Sequence, residues 1–254
     1  MLAIRSALFL LFQVTTVIPW SFVCILSALL PLSKRYAITM KWVKACIWGA
    51  EHICGIRWQI KGAKNIPDTP VVFLSKHQST WETLFYPSYL PHELCYVFKR
   101  ELLFLPFFGW GIGLLEMIHI NRKKGNRAFD DMDRQGSEKI AEGRSIIMFP
   151  EGTRIPPGQI GRYKTGGSRF AVRTGAPVIP IAVNSGEYWP KKAFIKRPGL
   201  VTVSFGPAIE TAGRNPEELN TEVMNWIEAE MQVISPHLYQ NDTQQIPGFA
   251  GTGR

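Results

Sequence analysis

The chain has 254 residues, 46% of them hydrophobic, and its 29 Lys and Arg against 20 Asp and Glu give a net charge of +9. That length supports one substantial α/β domain with a short appendage and demands no second core, while the basic excess favours an anionic partner: nucleic acid, a phosphorylated substrate or an acidic lipid surface. The four cysteines, Cys24, Cys46, Cys54 and Cys95, form no CxxC pair and no zinc-like spacing with histidine, so they read as buried thiols of a reducing compartment.

The first element is apolar. Ala7 to Leu32 is a run of 26 residues without a charge, preceded by Arg5 and followed by Lys34 and Arg35, long enough to enter a bilayer core. A cleavable signal peptide would have an apolar region of about 7 to 15 residues and a small-x-small site, and neither condition is met. Pro19 in mid-segment removes a helical hydrogen bond, so a tilted span and a re-entrant helical hairpin are both open. Basic residues at both ends give no clean orientation and favour both ends on the cytoplasmic face.

Tyr36 to Trp58 follows, with Lys41, Lys44, Glu51 and His52 toward one side of a helix and Trp42, Val43, Cys46, Ile47, Ile53 and Cys54 elsewhere. Trp and Lys suit the headgroup layer, so this helix is expected at the membrane surface, with a core helix carrying a solvated stripe as the alternative. Residues 1–57 are therefore read as membrane-anchoring and interfacial helices, 58–235 as the catalytic domain, and 236–254 as a polar tail.

From Trp58 onward short apolar runs alternate with amphipathic ones, which predicts an α/β fold: a mixed, mostly parallel sheet flanked by helices. The expected strands are Trp58–Lys61, Val71–Ser75, Leu94–Phe98, Met117–Ile120, Ile146–Phe149, Val178–Val183 and Leu200–Phe205. The expected helices are Thr80–Tyr89, Asn126–Glu142, Gly166–Thr174 and Pro216–Val233. In such sheets chemistry collects where strands end.

At the first such junction the apolar run from Val71 to Leu74 leads into Ser75-Lys76-His77-Gln78-Ser79-Thr80-Trp81-Glu82. On one continuous helix His77 and Glu82 would point apart. With His77 in a turn and Glu82 in the first turn of the next helix, the carboxylate can fold back onto one imidazole nitrogen and leave the other to accept a substrate proton. A structural hydrogen bond is the competing reading of the pair taken alone. Ser79 lacks a Gly-x-Ser-x-Gly elbow and is read as a local cap, and Trp81 as a packing residue. Leu102–Leu115, with its aromatics from Phe104 to Trp110, is open to three readings: a wall of an acyl path, a bilayer contact, or a core helix pair.

The His77 block is followed by Asn121-Arg122 at the end of another strand, by Phe149-Pro150-Glu151-Gly152-Thr153-Arg154, and by Val178-Ile179-Pro180-Ile181. In this order, over about Trp58 to Gly206, they resemble the four blocks of the 1-acylglycerol-3-phosphate acyltransferase family within the glycerolipid acyltransferase superfamily. The resemblance implies that His77 is the general base on an acceptor hydroxyl that attacks the thioester of acyl-CoA or acyl-carrier protein, with no acyl-enzyme and no cofactor, and that Glu82 orients it. The family pattern has aspartate where this chain has Glu82, whose extra methylene requires a shifted helix start or rotamer. Arg122 and Arg154, with Lys99, are the implied donors to the acceptor phosphate. Glu151 is expected to orient an arginine or bind a glycerol hydroxyl, Gly152 to allow close backbone approach, and Thr153 to bind the acceptor with them; a Glu151–Arg154 ion pair that only fixes the loop is the alternative.

The expected partners are lysophosphatidic acid, the acyl thioester and membrane lipids, at the cytoplasmic side of a bacterial inner membrane. Rival readings are transfer to another lysophospholipid or a lyso-aminolipid, and anionic-lipid binding without turnover. No cluster of His, Asp and Glu suggests a metal site, which sets a metallohydrolase aside. Nucleic-acid binding fits poorly, because the positive charge is dispersed.

Overall fold

The computed structural model describes residues 1–120 and 126–239. Helix α1 (Leu2–Leu26) and helix α2 (Leu32–His52) come first. Strands β1 (Ile56–Lys61) and β2 (Val72–Ser75), helix α3 (Trp81–Tyr89), strand β3 (Leu94–Lys99), helix α4 (Phe108–Gly113) and strand β4 (Ile118–Ile120) follow. Helix α5 (Asn126–Ala141), strand β5 (Ser145–Met148), helix α6 (Gly166–Thr174), strands β6 (Val178–Val183) and β7 (Gly199–Phe205), and helix α7 (Pro216–Ile234) complete the described chain.

The strands form a seven-stranded sheet in the order β1-β7-β6-β2-β5-β3-β4. β6, β2, β5, β3 and β4 run parallel, β7 is antiparallel to β6, and β1 pairs parallel with β7. Every residue of β2, β5 and β6 is buried, as expected of central parallel strands covered on both faces. Their alternating side chains feed two cores. Phe73, Ile147, Ile179 and Ile181 pack with Phe9 of α1, Ala50 of α2 and Trp81 and Phe85 of α3. Val72, Leu74, Ile146 and Val178 pack with Met132 of α5, Phe170 of α6 and Val223 and Ile227 of α7. Burial of each such side chain stabilises the fold by about 1.5–3 kcal/mol. The result is a helix–sheet–helix sandwich in which the parallel strands all end on one edge.

The amino-terminal helices depart from the expected bounds. α1 begins at Leu2 and continues through Pro19, and a short 3-10 turn at Ser27–Leu29 leads to Pro31. The second helix was expected to run to Trp58, but it ends at His52. Gly55 takes φ +73°, a left-handed conformation suited to glycine, and turns the chain into β1 with Trp58 inside the strand.

The two helices form an antiparallel hairpin. Trp20 donates its indole N–H to the Ile38 carbonyl at 3.2 Å, Trp42 donates to Thr16 Oγ1 at 3.0 Å, and Gly49 sits against the Phe12 ring. α1 is packed inside out. Ser6, Phe9, Ser21 and Cys24 are buried, while Leu8, Leu11, Val14, Ile18 and Phe22 are exposed.

Candidate active site

Two turns, after β2 and after β5, meet the 3-10 turn Ser185–Glu187 that follows β6 at the edge where these strands end. The first is the turn after β2. His77 leaves the strand here, and α3 begins at Trp81 with Glu82 in its first turn, where a carboxylate complements the helix dipole. Glu82 folds back on the turn: its Oε1 accepts from His77 Nδ1 at 2.9 Å, from the Gln78 N–H at 2.8 Å and from the Ser79 N–H at 2.6 Å. Its Oε2 accepts from Ser185 Oγ at 2.6 Å. Glu82 is fully buried, and four donors offset the desolvation of its charge. The extra methylene that made the reach of a glutamate uncertain is thus accommodated by a turn that wraps around the carboxylate. Ser79 Oγ accepts from the Trp81 N–H at 3.0 Å, and Trp81 stacks on Phe85 in the core, as their local readings required.

The second turn follows β5. Phe149 stacks on the His77 imidazole with ring centroids 3.9 Å apart and 22° between planes. With Nδ1 bonded to Glu82 and one face covered by Phe149, the ring is fixed in two directions. Glu151 points behind the histidine turn. Its Oε2 accepts from the His77 backbone N–H at 2.8 Å, and its Oε1 lies 2.8 Å from the Lys76 ammonium. The carbonyl of His77 accepts from the Ile155 N–H at 2.8 Å, so the two turns are stitched together on both sides of the histidine. Burial raises the Glu151 carboxyl above its ordinary pKa, and Lys76 pulls in the opposite direction.

Lys76 is fully buried. Besides Glu151 it contacts Glu228 Oε1 of α7 at 2.7 Å and the Gln159 carbonyl at 3.1 Å. Tyr163 donates its hydroxyl to the same Glu228 oxygen at 2.6 Å, and burial together with the Glu228 charge holds that phenol well above its usual pKa. A buried ammonium and two buried carboxylates therefore tie α7 to the backbone of the histidine turn.

Gly152 takes φ +68°, and a side chain there would meet only the flexible end of Lys164, so the requirement for glycine comes from the backbone conformation. Thr153 is exposed, and Lys191 donates to its Oγ1 and to the Arg154 carbonyl, each at 3.1 Å. Lys99 ends β3 in register with Ile120, and its side chain lies outside the described set. Arg122 also lies outside the described residues. Of the three expected phosphate donors, Arg154 is the one whose side chain is placed.

His77, Phe149 and Arg154 line a cavity of about 440 Å³ whose remaining walls are mostly apolar. Val17, Trp20, Ser21 and Cys24 of α1, Met40 and Val43 of α2, and Ile112 of α4 contribute to it. Of the Leu102–Leu115 segment, Leu102, Phe107, Gly111, Ile112 and Leu115 face this cavity, whereas Phe104, Leu105 and Trp110 are exposed.

Residues 57–184 match the family described as Acyltransferase. Over 92% of its length the chain is 42% identical to a 1-acyl-sn-glycerol-3-phosphate acyltransferase of Pseudomonas aeruginosa, covering 93% of that protein. It is 29% identical to the mouse 1-acyl-sn-glycerol-3-phosphate acyltransferase alpha over 87% of this chain and 80% of that one. The fold is similar to the crystal structure of the 1-acyl-sn-glycerophosphate (LPA) acyltransferase PlsC from Thermotoga maritima, with a TM-score of 0.76 at 23% identity over 92% of this chain and 98% of the other.

Proposed function

The chain belongs to the 1-acyl-sn-glycerol-3-phosphate acyltransferase family, and from that premise we propose that it moves a fatty acyl group from acyl-CoA or acyl-carrier protein to the sn-2 hydroxyl of 1-acylglycerol 3-phosphate, giving phosphatidic acid. The observation that carries this reading is the pairing of a half-buried His77 with a buried Glu82, the histidine lining a mostly apolar cavity that Arg154 also lines.

In this reading Glu82 holds Nδ1 as the N–H of the imidazole, so Nε2 is the acceptor nitrogen. Nε2 takes the acceptor's hydroxyl proton as that oxygen bonds to the thioester carbonyl carbon. The tetrahedral adduct then collapses, the carbon–sulfur bond breaks, and the imidazolium returns the proton to the leaving thiolate. The histidine ends as it began, and neither an acyl-enzyme nor a cofactor is required. Such acid–base assistance is worth on the order of 10²–10⁴-fold in rate. Arg154, with Arg122 and Lys99, supplies cationic donors for the phosphate, and the cavity takes an acyl chain.

The membrane is the source of the lipid substrate. α1 is long and apolar enough to enter a bilayer and presents its apolar residues outward. Its antiparallel pairing with α2 sets Arg5 at one end of the hairpin, beside Cys54, and Lys34 and Arg35 at the other, with the active site on the cytoplasmic side of a bacterial inner membrane in this reading. The test is a panel of acceptors and donors with the purified chain. Labelled acyl thioester should pass to lysophosphatidic acid; strong transfer only to another lysolipid would overturn the acceptor assignment.

A further inference from the structure

We propose that Ser185 is a positioning residue matched to Glu82, and that this serine allows a glutamate to serve the histidine where an aspartate is the usual family residue. The inference rests on the reading of His77 as the base.

Ser185 lies just beyond the end of β6 and is fully buried. Its backbone is fixed by the Tyr188 and Trp189 N–H groups, which donate to its carbonyl at 3.2 and 2.9 Å. The preceding Asn184 is anchored in turn, accepting from the Thr202 N–H of β7 at 2.8 Å. The neighbouring Gly186 packs directly on the histidine turn: its N–H donates to Gln78 Oε1 at 3.2 Å, and an added Cβ would lie 2.8 Å from that of Gln78. The Ser185 hydroxyl therefore reaches Glu82 from a rigid base.

The four donors to Glu82 divide unequally. Oε1 receives His77 Nδ1 and two backbone N–H groups, and Oε2 receives Ser185. Bonding both oxygens from opposite sides sets the carboxylate plane and the rotamer of a side chain with one more rotatable bond than aspartate. Without the hydroxyl, Oε2 is a buried charged oxygen with no donor, and the carboxylate has a reason to rotate away from His77. An aspartate carboxylate is equally wide but starts one carbon nearer its own backbone, so in the same turn it sits back from Ser185. Ser185 thus acts through Glu82 and touches no substrate.

The experiment is a double-mutant cycle in the full-length chain reconstituted in vesicles: wild type, Ser185→Ala, Glu82→Asp, both together, and His77→Ala as the control. Each is assayed for acyl transfer to lysophosphatidic acid, and folding is checked by thermal unfolding. Ser185→Ala should lower kcat on the order of 10- to 100-fold with KM for the lipid changed less than about twofold. In the Glu82→Asp background the same change should have an effect of less than about threefold, because the shorter acid no longer uses the hydroxyl. Unchanged kcat in Ser185→Ala, or losses that multiply in the double variant, would overturn the proposal while an inactive His77→Ala leaves the base assignment standing. Activity retained in His77→Ala would overturn both.

Discussion

At the scale of single residues, the site depends on how few conformations His77 and Glu82 retain. The imidazole is held by one hydrogen bond and one ring stack, and the carboxylate by four donors. Glu82→Ala removes the group that sets the tautomer, and we expect a loss of kcat on the order of 10²-fold or more. Glu82→Asp should retain a measurable fraction, since the backbone donors of Gln78 and Ser79 remain. Steady-state kinetics on the two variants and wild type checks this, and equal activity in all three would remove Glu82 from the pair. His77 and Glu82 were legible from the sequence because they lie five positions apart across a strand–helix junction. Phe149, Lys76 and Ser185 were not: Ser185 is 103 positions from Glu82, and Glu228 is 152 from Lys76. Glu151 was legible as a member of its block, whereas its place behind the histidine turn follows from the burial of Lys76, which no local pattern signals.

At the scale of elements, the sheet was largely legible. The strand β6 and the helix α6 have the bounds that hydrophobic patterning and turn residues predicted, and the other expected strands and helices of the catalytic domain differ by a residue or two at an end, whereas α4 was not among the expected helices. The helix α2 was overextended because apolar and aromatic residues continue past Gly55 into β1, and a glycine inside an apolar run reads equally well as part of a helix. What sequence patterning could not reveal is how α7 holds the histidine turn. Replacing Lys76 with Met leaves the Glu151 and Glu228 carboxylates buried without their cation, and should destabilise the fold by about 3–5 kcal/mol.

The pH dependence of that loss has a definite sign. Burial already raises the Glu151 carboxyl, and without Lys76 it rises further, so the folded variant binds more protons than its unfolded chain. The deficit relative to wild type should therefore shrink as pH falls and grow as pH rises through the folded carboxyl's pKa. Chemical denaturation of both proteins across acid and neutral pH measures this directly. A deficit independent of pH would show that the ion pairs are not its origin.

At the scale of the whole molecule, one cavity is shared between the catalytic domain and the amino-terminal hairpin. The segment that was first legible as a membrane helix is also a wall of the proposed acyl site, through Val17, Trp20, Ser21 and Cys24. Two predictions separate these roles. Ser21→Phe fills part of the cavity and should shift preference toward shorter acyl donors, read as the ratio of kcat/KM for short and long thioesters; an unchanged ratio would place the chain elsewhere. Leu8→Asp with Leu11→Asp lies on the exposed face of α1 and should weaken co-sedimentation with anionic vesicles, because each charge must leave water to enter the bilayer. Vesicle binding equal to wild type would mean that this face does not insert.

The central claim is that His77 is the base, and the most direct measurement is the rate of acyl transfer to lysophosphatidic acid by His77→Ala against wild type, with vesicle binding and thermal unfolding recorded on the same preparations. The account predicts a folded, membrane-bound protein whose transfer rate has fallen by on the order of 10²–10⁴-fold. A folded variant that transfers acyl groups at the wild-type rate would contradict it.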